Sequence, residues 1–409
     1  MSNTFCILPF VHIATERNGN YLPCCSSLCT GIKKEDGTFY NVMSDKVEDV
    51  WRSDPMNSLR KDLIEGKYNE NCQRCWDTEA NGFVSRRQRS NQLISKSIDN
   101  FDPTTDLPFD LDIKTGNLCN LKCITCNQLA SSQHAKEVTQ WRDNNVAIPS
   151  WLIKIEEWSA GKLTLESVNN VADNLSLALE NTNSIILQGG EPLINPMALE
   201  VIDKCIEHEN FDVNLNIMTN MITYDQSIFD KISLFPKHSI VVSWDHIDDE
   251  KFRFIRYPGR YSQFTQNLND LISMRTIRIG ISFTASIFNI FDIEKIFEVF
   301  EDKANQIDSW YEMNMQIVQG PPYFSVQYLE PDQKIKCVEA VTNFLNNNKH
   351  YRTMDETVIN QCNALMKILS TEPADFYEVV KERTRVLDLY DTSRSTNWQS
   401  LFPFIKRYD

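Results

Sequence analysis

Cys119, Cys123 and Cys126 stand within eight residues of one another, in Asn117-Leu118-Cys119-Asn120-Leu121-Lys122-Cys123-Ile124-Thr125-Cys126. Three thiolates so spaced can hold one metal centre while closing only two very short loops, so ordering them costs little chain entropy. The odd number matters. A structural zinc site closes with four ligands, whereas a site one ligand short keeps a position open for substrate. A four-iron cluster bound through three cysteines likewise keeps its fourth iron free.

The strand pattern around this loop gives it a setting. Phe109 to Thr115 alternates in character and runs straight into the cysteines, which places them at the C-terminal end of a strand, the face that carries chemistry in β/α barrels. Further strands are expected at 184–188, 212–218, 238–244, 278–284 and 313–318, separated by helical stretches. One such helix presents Val168, Val171, Leu175 and Leu179 as its apolar stripe. The strand at 184–188 ends in Gly189-Gly190-Glu191-Pro192, where two residues without a Cβ let the backbone approach a ligand and the Glu191 carboxylate is expected to project at it. Residues 128–162, with Trp141, Trp151 and Trp158, show no clear period and are left unassigned as an insertion near the site.

A second cysteine group precedes this core. Phe10 to Ala14 and Tyr21 to Pro23 flank Asn18-Gly19-Asn20, a hairpin signal that brings Cys6 and Cys24 together. Asp54 and Pro55 start a helix with Met56, Leu59 and Leu63 on one face and Gly66 as its stop, after which come Cys72 and Cys75. Two separated pairs converging on one metal make a closed four-thiolate site, which suits zinc and an iron–sulfur cluster equally well. Cys25 and Cys29 stand close to Cys24 in the chain, and Cys29 reads as a bystander. Arg86, Arg87 and Arg89 read as a solvated helix face.

Taken together, Cys-x3-Cys-x2-Cys followed by Gly-Gly-Glu-Pro on a later strand end resembles the radical S-adenosylmethionine (radical SAM) superfamily. The resemblance implies a partial (β/α)6 barrel in which Cys119, Cys123 and Cys126 hold a [4Fe-4S] cluster whose free iron chelates SAM. It assigns the SAM amino group to Gly189, Gly190 and Glu191, and its carboxylate to Arg256. Thr219, Asn220 and Ser243 match strand-end polar positions near the same ligand. Thr125 departs from the pattern, which usually has an aromatic residue there. The N-terminal group, Cys6-x12-Gly19-x4-Cys24 with Cys72-x2-Cys75, resembles the SPASM or shorter twitch module, implying one auxiliary [4Fe-4S] cluster on Cys6, Cys24, Cys72 and Cys75. Here the module precedes the barrel, whereas it normally follows it.

The expected organisation is an auxiliary domain at 1–92, the barrel at 105–330 and a helical region at 331–409. That last region carries stripes of Ile335, Val338, Val341 and Leu345, then Val358, Cys362, Leu365 and Leu369. The implied activity is reductive cleavage of SAM to a 5′-deoxyadenosyl radical that abstracts hydrogen from a peptide or protein. The alternatives are a dehydrogenase or epimerase of a sugar or small metabolite, and a non-catalytic zinc scaffold. An electron donor such as flavodoxin or ferredoxin is implied. The net charge of −15 opposes broad attachment to nucleic acid or an anionic membrane. The apolar run Phe5 to Ala14 has no basic residue before it and contains Pro9, so it reads as neither an export signal nor a membrane span. Twelve cysteines without an export signal point to a reducing, cytoplasmic setting. Cys205, Cys337 and Cys362 are expected to be core thiols.

Overall fold

The computed structural model describes residues 3–80, 84–94, 107–158 and 170–408. Val168 of the expected helix stripe and the boundary near residues 95–105 lie outside them. The chain divides into two compact units. The first is drawn from Met1–Leu118, Trp158–Met218 and Asp225–His238; the second from Cys119–Glu157, Thr219–Tyr224 and Ser239–Asp409.

In the first unit the strands are β1 (His12–Thr15), β2 (Tyr21–Leu22), β3 (Asp110–Lys114), β4 (Ser184–Gln188) and β5 (Asn214–Thr219). They run in the order β2-β1-β3-β4-β5. β1 and β2 form the expected antiparallel hairpin, with Ala14 opposite Leu22. Gly19 turns it with φ +84°, and a Cβ there would stand 2.6 Å from Asn41 Oδ1. Only the strand's start differs, because Leu8–Val11 is a turn of helix that begins at a proline position. β1 then pairs parallel with β3, His12 opposite Asp110, so the cysteine-rich hairpin is continuous with the edge of the parallel sheet.

The alternation of β3 and β4 separates two faces. Leu111, Ile113, Ile185 and Leu187 are buried on the apolar one, each worth about 1.5–3 kcal/mol relative to exposure. The other face is polar: His12 Nδ1 pairs with Asp110 Oδ2 at 2.8 Å, and Gln188 Nε2 donates to Asp112 Oδ1 at 2.7 Å. The helix Asp54–Ile64 starts at its Pro and buries Met56, Leu59 and Leu63 as expected. It also buries Arg60, which donates to the Pro9 and Trp51 carbonyls at 2.8 Å each and stacks on the Trp51 ring.

The second unit holds β6 (His238–Ser243), β7 (Ile279–Ala285) and β8 (Trp310–Ile317), parallel and in that order. Trp244, Phe252, Phe264, Phe283 and Phe300 are buried behind them. The stretch left unassigned in the sequence forms two helices, Ser132–Asp143 and Ser150–Trp158. Ser131 caps the first by accepting the His134 amide at 3.1 Å. The C-terminal region is helical at Pro331–Asn347, Glu356–Leu369 and Phe376–Arg394. Val358, Cys362, Leu365 and Leu369 are buried as expected, with Cys362 Sγ 3.9 Å from Met315 Sδ on β8. The helix before it is rotated from expectation: Cys337, Val341 and Phe344 face inward, and Ile335 is 62% exposed. The fold is thus a mixed α/β core of parallel strands flanked by helices, with a cysteine-rich N-terminal segment and a helical C-terminal region. Among the described residues no helix is long and apolar enough to cross a membrane.

Candidate active site

The cysteine loop is anchored by its apolar residues and by backbone pairing. Leu121 and Ile124 are fully buried. The Lys122 amide donates to the Tyr257 carbonyl at 2.7 Å and the Ile124 amide to the Ile255 carbonyl at 2.8 Å, so Cys123 is held between two fixed residues. The Cys126 amide donates to the Cys123 carbonyl at 3.0 Å, closing the second short loop. Cys119 Sγ accepts from the Leu121 amide at 3.4 Å, and Asn220 Nδ2 lies 3.9 Å from the same sulfur. Asn220 also donates to Asn120 Oδ1 at 2.8 Å, and Asn120 to Thr223 Oγ1 at 3.0 Å. Asn120 was not singled out in the sequence, although its place beside Cys119 is a local signal. Burial pushes the Cys123 thiol up to about 11 against the opposing pull of Arg256.

Arg256 follows the helix Asp249–Ile255 and is buried. It forms an ion pair with Asp245, whose Oδ1 accepts the Thr284 amide at 3.0 Å. Its Nε is buried and has no hydrogen-bond partner among the described residues. A buried donor left open in this way fits an anionic ligand. Its charge is felt at Cys123 and Cys119. Ser243 ends β6 opposite Ser282. The Thr219 hydroxyl accepts the Met221 amide at 3.0 Å and so works as a local cap.

In the first unit, β4 runs into Gly189 and Gly190, with φ of +90° and +55°. A Cβ on Gly190 would stand 2.4 Å from the Leu118 carbonyl oxygen. That oxygen accepts the Glu191 amide at 2.8 Å. The glycine turn therefore rests on the residue immediately before Cys119. Glu191 is 1% exposed, and its carboxylate accepts the Leu193 amide at 3.2 Å, capping Pro192–Ile194.

Cys6, Cys24, Cys72 and Cys75 line one cavity together with Leu59 and Arg87. Burial pushes Cys6 up to about 12 and Cys72 to about 11. The Arg87 charge opposes both shifts. Arg87 is not a solvated residue: its guanidinium pairs with Glu79, lies 4.9 Å from the Trp76 ring centroid and donates to the Phe5 carbonyl at 2.8 Å. Cys25 is not in this lining, and against the effect of burial the His12 imidazole draws its thiol below the ordinary range. Cys29 hydrogen-bonds Ser27 Oγ at 3.1 Å. Among the described residues no three Cys, His, Asp or Glu side chains are gathered at single-ion spacing. Both donor sets are all-sulfur, and soft thiolates suit an iron–sulfur cluster.

Comparison with known proteins bears on these sites. Residues 113–299 match the radical SAM superfamily, and residues 6–76 match the iron–sulfur cluster-binding domain SPASM. Curated proteins return no match to the chain. Solved structures similar to it include anSMEcpe with bound AdoMet, 17% identical over 59% of this chain and 62% of that one, with a TM-score of 0.39. SuiB of Streptococcus suis bound to S-adenosylmethionine is 14% identical over 73% and 61%, with a TM-score of 0.36. TYW1 with a lysine-pyruvate adduct is 16% identical over 60% and 76%, with a TM-score of 0.32. The chain spans about three fifths of the length of anSMEcpe and of SuiB. Its two matched segments coincide with its two cysteine groups: a radical SAM segment holds Cys119, Cys123 and Cys126, and a SPASM-type iron–sulfur cluster-binding segment holds Cys6, Cys24, Cys72 and Cys75.

Proposed function

We propose that the chain cleaves S-adenosylmethionine reductively and uses the resulting radical to abstract hydrogen from a peptide or protein substrate. The observation that carries this reading is the cysteine loop: three thiols on a backbone pinned at both sides of Cys123, with the open, buried Nε of Arg256 in the same unit. Cys119, Cys123 and Cys126 would hold a [4Fe-4S] cluster, which when bound supplies the electron for cleavage. The Leu121 amide and Asn220 side chain place N–H groups toward Cys119 Sγ. Arg256 would hold the SAM carboxylate through a planar fork of donors already oriented by Asp245. Gly189, Gly190 and Glu191 would take the amino group, and Thr219, Asn220 and Ser243 the ribose side, as their motif positions imply. Cys6, Cys24, Cys72 and Cys75 would hold the auxiliary [4Fe-4S] cluster, with Arg87 offsetting part of its negative charge. A SPASM-type module supports a peptide or protein over a small metabolite as the substrate. A flavodoxin or ferredoxin would deliver the electron, in a cytoplasmic setting.

The test is anaerobic reconstitution with iron and sulfide, followed by SAM, dithionite and candidate peptides, with 5′-deoxyadenosine measured by chromatography. About eight irons per chain are expected from two four-iron sites, together with nucleoside release that Cys123→Ala abolishes. Zinc without labile sulfide at both sites would overturn the reading in favour of a scaffold. A fully loaded chain that releases no nucleoside with any peptide or small metabolite would overturn the catalytic assignment.

A further inference from the structure

Glu137 and Arg394 meet inside the second unit although 257 residues separate them in sequence. Arg394 Nη2 donates to Glu137 Oε2 at 2.6 Å and Nε to Oε1 at 3.1 Å. Lys122, from the cysteine loop itself, donates to the same Oε1 at 2.7 Å. The side chains of Glu137 and Arg394 are each 2% exposed and that of Lys122 is 19% exposed. Two cations therefore share one anion, and the group carries a surplus positive charge. Such a charge is costly away from water unless a negative one answers it. Arg394 Nη1 is buried with no hydrogen-bond partner among the described residues. The guanidinium is held over the Tyr390 ring at 4.0 Å and lies 5.4 Å from that of Tyr257, whose carbonyl fixes the Lys122 amide. Lys122 is the residue immediately before Cys123, so the ion-paired group abuts the cysteine loop.

We propose that Arg394, Lys122 and Glu137 form a buried cationic base beside the cysteine loop that favours the more negative, reduced state of the cluster carried by Cys119, Cys123 and Cys126. The inference rests on the reading of that loop as a cluster site. Three thiolate ligands leave a four-iron cluster anionic, and the electron taken from a one-electron donor adds one further negative charge. At an effective dielectric of about 20, one unit of positive charge beside the loop changes the reduced-to-oxidised ratio on the order of tenfold. Arg394 acts by its charge from beside the loop, held there by Glu137, and touches none of the reacting atoms.

The test is a dithionite titration of the full chain, followed by the electron paramagnetic resonance signal that Cys123→Ala removes. Arg394→Met should lower the reduced-to-oxidised ratio at fixed potential about tenfold, which is 59 mV for a one-electron couple. Glu137→Gln keeps the shape of the pair, removes the one anion and should raise the ratio by a similar factor. Arg394→Lys should restore the parent value. A role in packing alone would shift the two in the same direction, or not at all, and either result overturns the inference. Should Arg394→Met fail to fold, the rise in Glu137→Gln and the parent value in Arg394→Lys still decide the matter. A Cys123→Ala chain with unchanged iron and unchanged signals would overturn the cluster assignment, and this inference with it.

Discussion

Replacing Gly190 by alanine tests whether the Gly-Gly-Glu turn is built against the cysteine loop's entrance. At φ +55° an alanine sits in the left-handed region, which costs roughly 1–2 kcal/mol. Its Cβ would also fall 2.4 Å from the Leu118 carbonyl oxygen, a backbone atom that moves only if the chain before Cys119 moves. Relief of that clash breaks the 2.8 Å hydrogen bond from the Glu191 amide, worth about 0.5–1.5 kcal/mol. The sum is about 1.5–3.5 kcal/mol. Gly189 is the internal control. Its φ of +90° is strained as well, but the nearest backbone atom to a Cβ, the Gly116 oxygen, is 3.3 Å away. Gly189→Ala should therefore cost only about 1–2 kcal/mol. The assay is urea unfolding of the metal-free chain followed by circular dichroism, paired with iron content after reconstitution. Gly190→Ala should be the less stable variant by about 1 kcal/mol, and it alone should lose iron from the cysteine loop. Equal destabilisation by the two, or a larger effect at Gly189, would refute the close approach as the reason for the second glycine.

Three further outcomes follow from the same geometry. Cys24→Ser should remove about four irons per chain, the content of one cluster, while Cys25→Ser, at a thiol outside the cysteine-lined cavity, should leave iron unchanged; the reverse result would reassign the ligand. Arg256→Lys should keep the iron and weaken SAM binding at least about tenfold, because a single ammonium cannot replace a planar fork; calorimetry on the reconstituted chain reads this, and unchanged affinity would refute the role of Arg256. Burial pushes Cys205, Cys337 and Cys362 up to about 12 from an ordinary 9.0. Above pH 9 the unfolded chain therefore releases protons that the folded chain retains, so stability is fully present below pH 9 and falls as pH rises toward 12. Thermal unfolding of the metal-free chain across that window should show the fall, and Cys362→Val should make it shallower by up to several kcal/mol at its upper end. A flat profile would mean that these thiols ionise while folded.

What was legible in the sequence is what neighbours in the chain decide for themselves. The cysteine loop closes over eight residues, the glycine turn needs positive φ at two adjacent positions, and the Asn-Gly hairpin carries its own geometry. Strand alternation and the Val358–Leu369 stripe were readable because one face of each element meets only apolar neighbours. The helix Pro331–Asn347 shows the limit of that reading. Its sequence offers two overlapping stripes, and packing selects the one bearing Phe344, whose ring centroid lies 4.6 Å from that of Phe297. The exposed Ile335 belongs to the stripe that packing did not select. Which stripe is buried depends on a surface that only the folded chain presents.

The residues hardest to read were buried polar ones, and the reason is the same at each site. A hydrophobic pattern ranks polar side chains as solvent-facing, so His134 and Glu137, which share the buried face with Val138 and Trp141, erase the period of their helix. Arg87 is read as a solvated charge for the same reason, although it lies among the N-terminal thiols. These groups are stable inside because partners on other elements answer them: Glu79, eight residues away, for Arg87, and the far more distant Arg394 and Asp110 for Glu137 and His12. A buried charge without its partner is strongly disfavoured, so neither member can be assigned to the interior until the other has been placed there. Of these pairs, two sit beside cysteine groups. In each, the cationic partner lies toward the thiols while the carboxylate holds it in place. Thiolates that must carry negative charge out of water need such cations near them. The ion pairs that conceal these buried charges from a sequence reading thus also set a positive charge beside each cysteine group.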